Sequence, residues 1–143
     1  MPIREAQTTW RGSLEQGAGT VALTSSGVGS YEVSFPKRAA DHAEGTTSPE
    51  ELIAAAHTSC FAMQFSALLG EAGGEEIHLT IGAKVHLGPD PEGGFRIPRI
   101  DLVVGGAARG IDESEFRRIA EDAKRTCPVS KALAGTQIDL TFE

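Results

Sequence analysis

One stretch restricts the fold of this chain more than any other: Ser48-Pro49-Glu50-Glu51-Leu52-Ile53-Ala54-Ala55-Ala56-His57-Thr58-Ser59-Cys60-Phe61-Ala62-Met63. It opens like a helix. Ser48 is an N-cap whose hydroxyl can accept an orphan backbone N–H. Pro49 follows at the first helical position, where its missing N–H costs nothing. Glu51 completes a capping box with Ser48, and Glu50 and Glu51 sit where the helix dipole favours negative charge. The run stays apolar on nearly every side through Leu69, and Gly70 or Gly73-Gly74 ends it, giving a helix from about Pro49 to about Glu71. A helix apolar all round is expected to be buried all round.

The rest of the chain must supply that cover. Residues 6–13, 18–25 and 30–36 read as three strands of an antiparallel meander, with Tyr31, Val33 and Phe35 on one face and Pro36 as the stop. Residues 36–47 read as a polar loop. After the central helix, Ile77 to Leu87 alternates strictly, and Phe95 to Ala107 returns beside it as a hairpin around the Gly/Pro-rich segment 88–94. Asp112 and Glu115 open an amphipathic helix with Phe116, Ile119, Ala120 and Ala123 as its apolar stripe. Cys127-Pro128 breaks it, a short helix runs to Leu133, and Gln137 to Phe142 forms a last strand. The order βββ–α–ββ–α–α–β defines an α+β fold. One small sheet cannot cover the central helix, so two sheets or a second chain must. A dimer with the long helices buried between subunits is the simpler solution.

The 143 residues suit a single domain over 1–143, and the formal net charge of -7 argues against a nucleic-acid partner. No apolar run is read as long enough to span a membrane, and no basic-then-apolar leader opens the chain, so no membrane partner and a cytoplasmic location are the expectations.

The chemistry-bearing residues are the two cysteines. In a cytoplasmic chain two thiols are either a reactive pair or inert core residues. Cys60 lies deep in an apolar helix, which raises a thiol pKa, so a reactive Cys60 needs a cation. His57, one turn earlier, and Arg38, in the loop before the helix, are the candidates. Cys127 stands at the N-cap of a short helix, where backbone N–H groups favour a thiolate. The two cysteines and four histidines show neither CxxC nor HxxxH spacing, so a metal site is not expected. Gly105-Gly106 and Gly110 lack the spacing of a nucleotide fingerprint.

Two motifs carry a resemblance. Gly45-Thr46-Thr47-Ser48-Pro49-Glu50-Glu51-Leu52-Ile53-Ala54-Ala55-Ala56-His57-Thr58-Ser59-Cys60-Phe61 and Cys127-Pro128-Val129-Ser130-Lys131-Ala132-Leu133, with their spacing, resemble the OsmC/Ohr family of peroxide-reducing proteins. His57 and the placing of Arg38 resemble its OsmC branch. The resemblance implies an OsmC-like fold in an intertwined homodimer with two interfacial sites. It implies Cys60 as the peroxidatic thiol, Cys127 as the resolving thiol, and Arg38 and Glu50 as the charged pair that positions them.

The implied activity is a thiol peroxidase in oxidative or osmotic stress defence. It would act on organic hydroperoxides, and on hydrogen peroxide as well, through a Cys60 sulfenic acid and a Cys60–Cys127 disulfide. An external dithiol, such as a lipoyl group, reopens the disulfide, and no cofactor is needed. Phe61 and Met63 are expected to favour an alkyl tail. Two alternatives remain at this level: a non-catalytic OsmC-like protein that binds a small apolar ligand, and a structural dimer with inert thiols. Glu50 and Cys60 are ten residues apart on one helix, roughly 15 Å of rise; if Glu50 belongs to the site, as the resemblance implies, it is expected to serve the partner chain's cysteine, with Arg38, and the alternative is that it serves only its own helix N-terminus.

Overall fold

The computed structural model describes all of residues 1–143, in two compact units, Met1–Leu52 and Ile53–Glu143. The first unit holds β1 (Gln7–Arg11), β2 (Ala18–Ala22) and β3 (Ser30–Val33), followed by α1 (Phe35–Ala39). The strands form the expected antiparallel meander in the order β1-β2-β3, with Thr9 opposite Thr20 and Val21 opposite Tyr31.

Helix α1 is a correction, because residues 36–47 read as a loop throughout. Ser34 caps it by accepting from the Lys37 N–H, and Pro36 lies within its first turn. Proline closes β3 and opens α1 for one reason: its fixed φ suits a first helical turn and its missing N–H cannot serve a strand. Phe35 is therefore helical rather than the third residue of a strand face, and Tyr31 is exposed.

Helix α2 spans Pro49–Glu71 without a break, as its capping signals predict. The Glu51 N–H donates to Ser48 Oγ at 3.2 Å, while the Glu51 carboxylate accepts from the Thr47 hydroxyl instead of closing the reciprocal half of the box. Leu69 and Gly74 then close the helix end through a Gly74 N–H to Leu69 carbonyl bond of 2.8 Å.

The second unit is built on β4 (Glu75–Val85), β7 (Arg99–Arg109) and β8 (Gln137–Phe142), with β7 in the middle. β4 and β7 are the antiparallel pair read from the alternation, with Ile81 opposite Val104. Two short strands, β5 (Gly88–Pro89) and β6 (Phe95–Arg96), extend the connection between them. β8 pairs with β7 in parallel, Leu102 opposite Leu140. A parallel neighbour needs a crossover, which α3 (Glu113–Thr126) and α4 (Pro128–Ala132) provide.

Phe61, Phe65 and Leu69, spaced by one helical turn, face this core together with Ile100, Leu102 and Val104 of β7 and Phe116, Ile119, Ala120 and Ala123 of α3. Phe65 lies between Phe61 and Phe116, with ring centroids 5.6 and 4.8 Å away.

Two expectations about α2 change here. Only one stripe of it is buried; Ala55, Ser59, Met63 and Ala67 form an exposed stripe, and Met63 is 72% exposed. Its 23 residues are also long and apolar enough, by length and composition, to cross a membrane, which the sequence reading had denied to every run. The same composition serves a core helix, and Phe61, Phe65 and Leu69 show that use.

Candidate active site

The four residues singled out from the sequence form two pairs. In the first unit, the Arg38 guanidinium meets the Glu50 carboxylate side-on. Arg38 Nε donates to Oε1 at 3.0 Å and to Oε2 at 3.1 Å, and its NH2 group donates to Oε1 at 2.6 Å. α1 presents Arg38 in its last turn, and the first turn of α2 presents Glu50. The pair is well shielded, with side-chain exposures of 33% and 10%. The Glu50 hydrogen bonds hold Arg38 above even its ordinary high pKa, so its charge is permanent. Forked pairing of this kind fixes the orientation of the guanidinium as well as its charge.

Beside this pair lies an apolar hollow of about 370 Å³. Trp10, Val21, Val33, Phe35 and Leu52 line it, and Arg38 is the charged group in its wall.

In the second unit the thiols are in contact. Cys127 Sγ and Cys60 Sγ are 3.1 Å apart, and both are reduced. Cys60 is brought there by α2 and is partly exposed; Cys127, at the junction of α3 and α4, is fully buried. Their electrostatics differ. Burial pushes the Cys60 thiol up, and so does the neighbouring Cys127 sulfur. Burial would push Cys127 up too, but the adjacent Cys60 thiol and the N–H and O–H dipoles of Ser130 and Val129 bring it below an ordinary thiol. These N–H groups act at a distance, since none closes a capping hydrogen bond on Cys127. The two thiols titrate as a coupled pair.

His57 is not the cation that Cys60 needs. It is fully buried, and burial pushes its imidazole below the ordinary value, so it is neutral at pH 7. Its Nε2 lies 2.8 Å from Ser130 Oγ, and its Nδ1 is buried without a partner. Ser130 was quoted in the sequence motif but given no role. Its signal was its position three residues after Cys127, where a side chain on the first turn of α4 turns back toward the cap. Nearby, Gln64 Nε2 donates to Thr126 Oγ1 at 2.9 Å and ties α2 to the end of α3. The alkyl-tail role of Phe61 and Met63 is also corrected: Phe61 is sealed in the core, and Met63 stands on the outer face of α2 beside Ile77 and Leu79.

Two thiols held in contact on an α+β frame of this order define a dithiol protein of known kin. Residues 41–143 match the profile of the family described as OsmC-like protein. The chain is 39% identical over 140 residues to the peroxiredoxin OsmC of Escherichia coli strain K12, covering 98% of this chain and 95% of that protein. It is 30% identical over 102 residues to the organic hydroperoxide resistance protein-like 1 of Staphylococcus saprophyticus, covering 68% and 70% of the two chains. Its fold superposes on the organic hydroperoxide resistance protein OhrB of Bacillus subtilis with a TM-score of 0.75, at 28% identity, over 97% of this chain and 98% of that one. The chain belongs to the OsmC-like family.

Proposed function

We propose that this protein is a thiol peroxidase that reduces organic hydroperoxides through Cys60 and Cys127. The observation that carries the reading is the 3.1 Å contact between the two sulfurs. A disulfide needs about 2.05 Å, so closure requires an approach of about 1 Å and no refolding. The names of the relatives, a peroxiredoxin and an organic hydroperoxide resistance protein, support the same chemistry. We read residues 1–143 as one functional domain, because the likeness to these proteins runs across both units.

The steps balance as follows. The Cys60 proton passes to the Cys127 thiolate, and the Cys60 sulfur attacks the distal peroxide oxygen. The O–O bond breaks, Cys60 becomes a sulfenic acid, and the alkoxide takes the proton back from Cys127 to leave as the alcohol. The Cys127 thiolate then attacks the Cys60 sulfur, the S–O bond breaks, and hydroxide leaves to be neutralised by solvent. An external dithiol reduces the disulfide by exchange.

The Arg38 cation offsets the burial that disfavours the Cys60 thiolate. Ten residues of unbroken α2, roughly 15 Å of rise, separate Glu50 from Cys60, so we assign Arg38 and Glu50 to the cysteine pair of the partner in a homodimer. The apolar hollow beside Arg38 is suited to the alkyl group of the peroxide.

Intact mass after one equivalent of cumene hydroperoxide tests the reading. Loss of two hydrogens is expected, from one intramolecular disulfide. Cys60→Ser should consume no peroxide, and Cys127→Ser should gain oxygen on Cys60 instead. Equal peroxide consumption by the protein and its Cys60→Ser variant, with dithiothreitol as reductant, would end the peroxidase reading and favour a non-catalytic protein that binds a small apolar ligand.

A further inference from the structure

The contact between the two sulfurs has a hydrogen bond on either side of it. On α2, His57, Cys60 and Gln64 are spaced by three and four residues and share one helix face. Each reaches a residue around the α3–α4 junction. His57 Nε2 lies 2.8 Å from Ser130 Oγ, Cys60 Sγ lies 3.1 Å from Cys127 Sγ, and Gln64 Nε2 donates to Thr126 Oγ1 at 2.9 Å. The partners follow in reverse order: 57, 60 and 64 against 130, 127 and 126. One tie therefore stands about 4.5 Å before Cys60 along the helix axis and the other about 6 Å after it.

We propose that His57, Gln64, Thr126 and Ser130 are positioning residues for disulfide closure: two hydrogen bonds that bracket the thiols and hold Cys127 against Cys60 after Cys60 has been oxidised. This rests on the Cys60–Cys127 disulfide of the proposed function and adds what keeps its second sulfur in place.

Cys127 stands at a break in the helical path, capping the end of α3 and the start of the five-residue α4. So short a helix has little stability of its own. Val129 and Leu133 pack against the core, but apolar packing is non-directional and leaves the register of α4 open. Hydrogen bonds are directional. One tie would leave the junction free to pivot about it; two ties, on opposite sides of the sulfurs, do not.

Both ties are specific. Thr126 Oγ1 donates to the Asp122 carbonyl at 2.8 Å, so it has only lone pairs for Gln64, and this orients the amide. His57 is fully buried and its Nδ1 has no partner, so the hydrogen bonding of the imidazole goes entirely across to α4. Burying an imidazole costs desolvation, which this cross-helix bond offsets in part. Holding two reacting groups together makes their reaction effectively unimolecular, and the gain depends on how firmly they are held.

Graded glutathione buffers, with intact mass as the readout on the full chain, test this without peroxide. The Cys60 thiolate attacks oxidised glutathione, forms a mixed disulfide and releases one glutathione thiolate, which takes up the Cys60 proton. The Cys127 thiolate then attacks the Cys60 sulfur and displaces the second glutathione, which takes up the Cys127 proton. The protein has lost two hydrogens and the glutathione has gained them. The ratio of mixed to closed disulfide reports how well Cys127 is held.

Thr126→Val, close in shape but without the hydroxyl, and Ser130→Ala should each raise that ratio about fivefold, making the midpoint potential of closure less negative by about 20 mV at about 30 mV per tenfold. Gln64→Met, which removes the donor from the α2 side, should match Thr126→Val. Thr126→Ser, which keeps the hydroxyl, should stay within about twofold of the unaltered chain. Loss of stability alone lowers the urea midpoint of the reduced and closed forms alike and leaves the ratio in place.

An unchanged ratio in either Thr126→Val or Ser130→Ala would overturn the bracket, and so would an equal rise in Thr126→Ser and Thr126→Val. Those results leave peroxide consumption by the unaltered chain, and the peroxidase reading with it, untouched. A chain that shows the expected shifts but consumes no peroxide would lose the peroxidase reading and keep the bracket.

Discussion

The two cysteines are chemically unequal because their surroundings differ, although both are buried to some degree. Cys60 has apolar neighbours and a second sulfur, so burial dominates and its thiol is pushed up. At Cys127 the neighbouring Cys60 thiol, with the N–H and O–H groups of Ser130 and Val129, outweighs burial. The proposed chemistry needs a cation at Cys60, and it assigns that part to Arg38, which Glu50 fixes. Arg38→Ala should raise the Cys60 pKa, seen as an alkaline shift in the pH profile of iodoacetamide alkylation. Arg11→Ala, altering an exposed residue of β1, should leave the profile in place. An unshifted profile in Arg38→Ala would remove Arg38 from the site.

His57 adds a stability signature. Its folded pKa lies below the unfolded value of about 6.5, so the unfolded chain binds the proton first. Its contribution is complete above about pH 6.5 and is lost as pH falls from there toward the folded pKa. Urea unfolding at pH 7 and pH 5 should show a smaller acid loss of stability in His57→Gln than in the unaltered chain.

At the scale of elements, caps and patterns wrote most of the secondary structure. The Ser48 cap is made as read, and Ser48→Ala should cost about 1 kcal/mol of unfolding free energy. Phe65, enclosed between two other rings, should cost about 3–5 kcal/mol as Phe65→Ala. In β7, Gly106 has φ +127, and a Cβ there would meet the His78 carbonyl oxygen at 2.1 Å. It pairs with Leu79, beside the register slip between Glu75 and His78, and Gly106→Ala should destabilise through both backbone strain and overlap, read as a lower urea midpoint. What element-level reading missed was α1, because a proline after an alternating run marks a stop whether a loop or a helix follows.

For the whole molecule, the exposed stripe of α2 is decisive. Ala55, Met63 and Ala67, with Ile77 and Leu79 alongside Met63, leave apolar surface that one chain does not cover. We propose that pairing through this stripe in a homodimer covers a helix apolar on every side. Met63→Glu should shift the protein toward monomer in light scattering at micromolar concentration. If the sites are shared, co-refolding Cys60→Ala with Arg38→Ala chains should restore part of the activity, because one site of each mixed dimer keeps both residues. Purified mixed dimers as inactive as either parent would place each site within one chain.

The sequence by itself determined what local physics decides. The start of α2 was fixed by its cap and proline, and its end was placed near Glu71 by the glycines that follow, because these signals act within a turn. The antiparallel strands and α3 followed from side-chain period, and two motifs sufficed to name the family. The opposite tendencies of the two thiols were also legible, since burial in an apolar helix and a place at a helix start are local facts. Tertiary structure decided everything that depends on groups distant in the chain. It set Cys60 and Cys127 in contact and paired β8 with β7 in parallel. It turned His57 from a cation into a neutral partner of Ser130, because an imidazole at pH 7 takes its charge from its surroundings and not from its position in a motif.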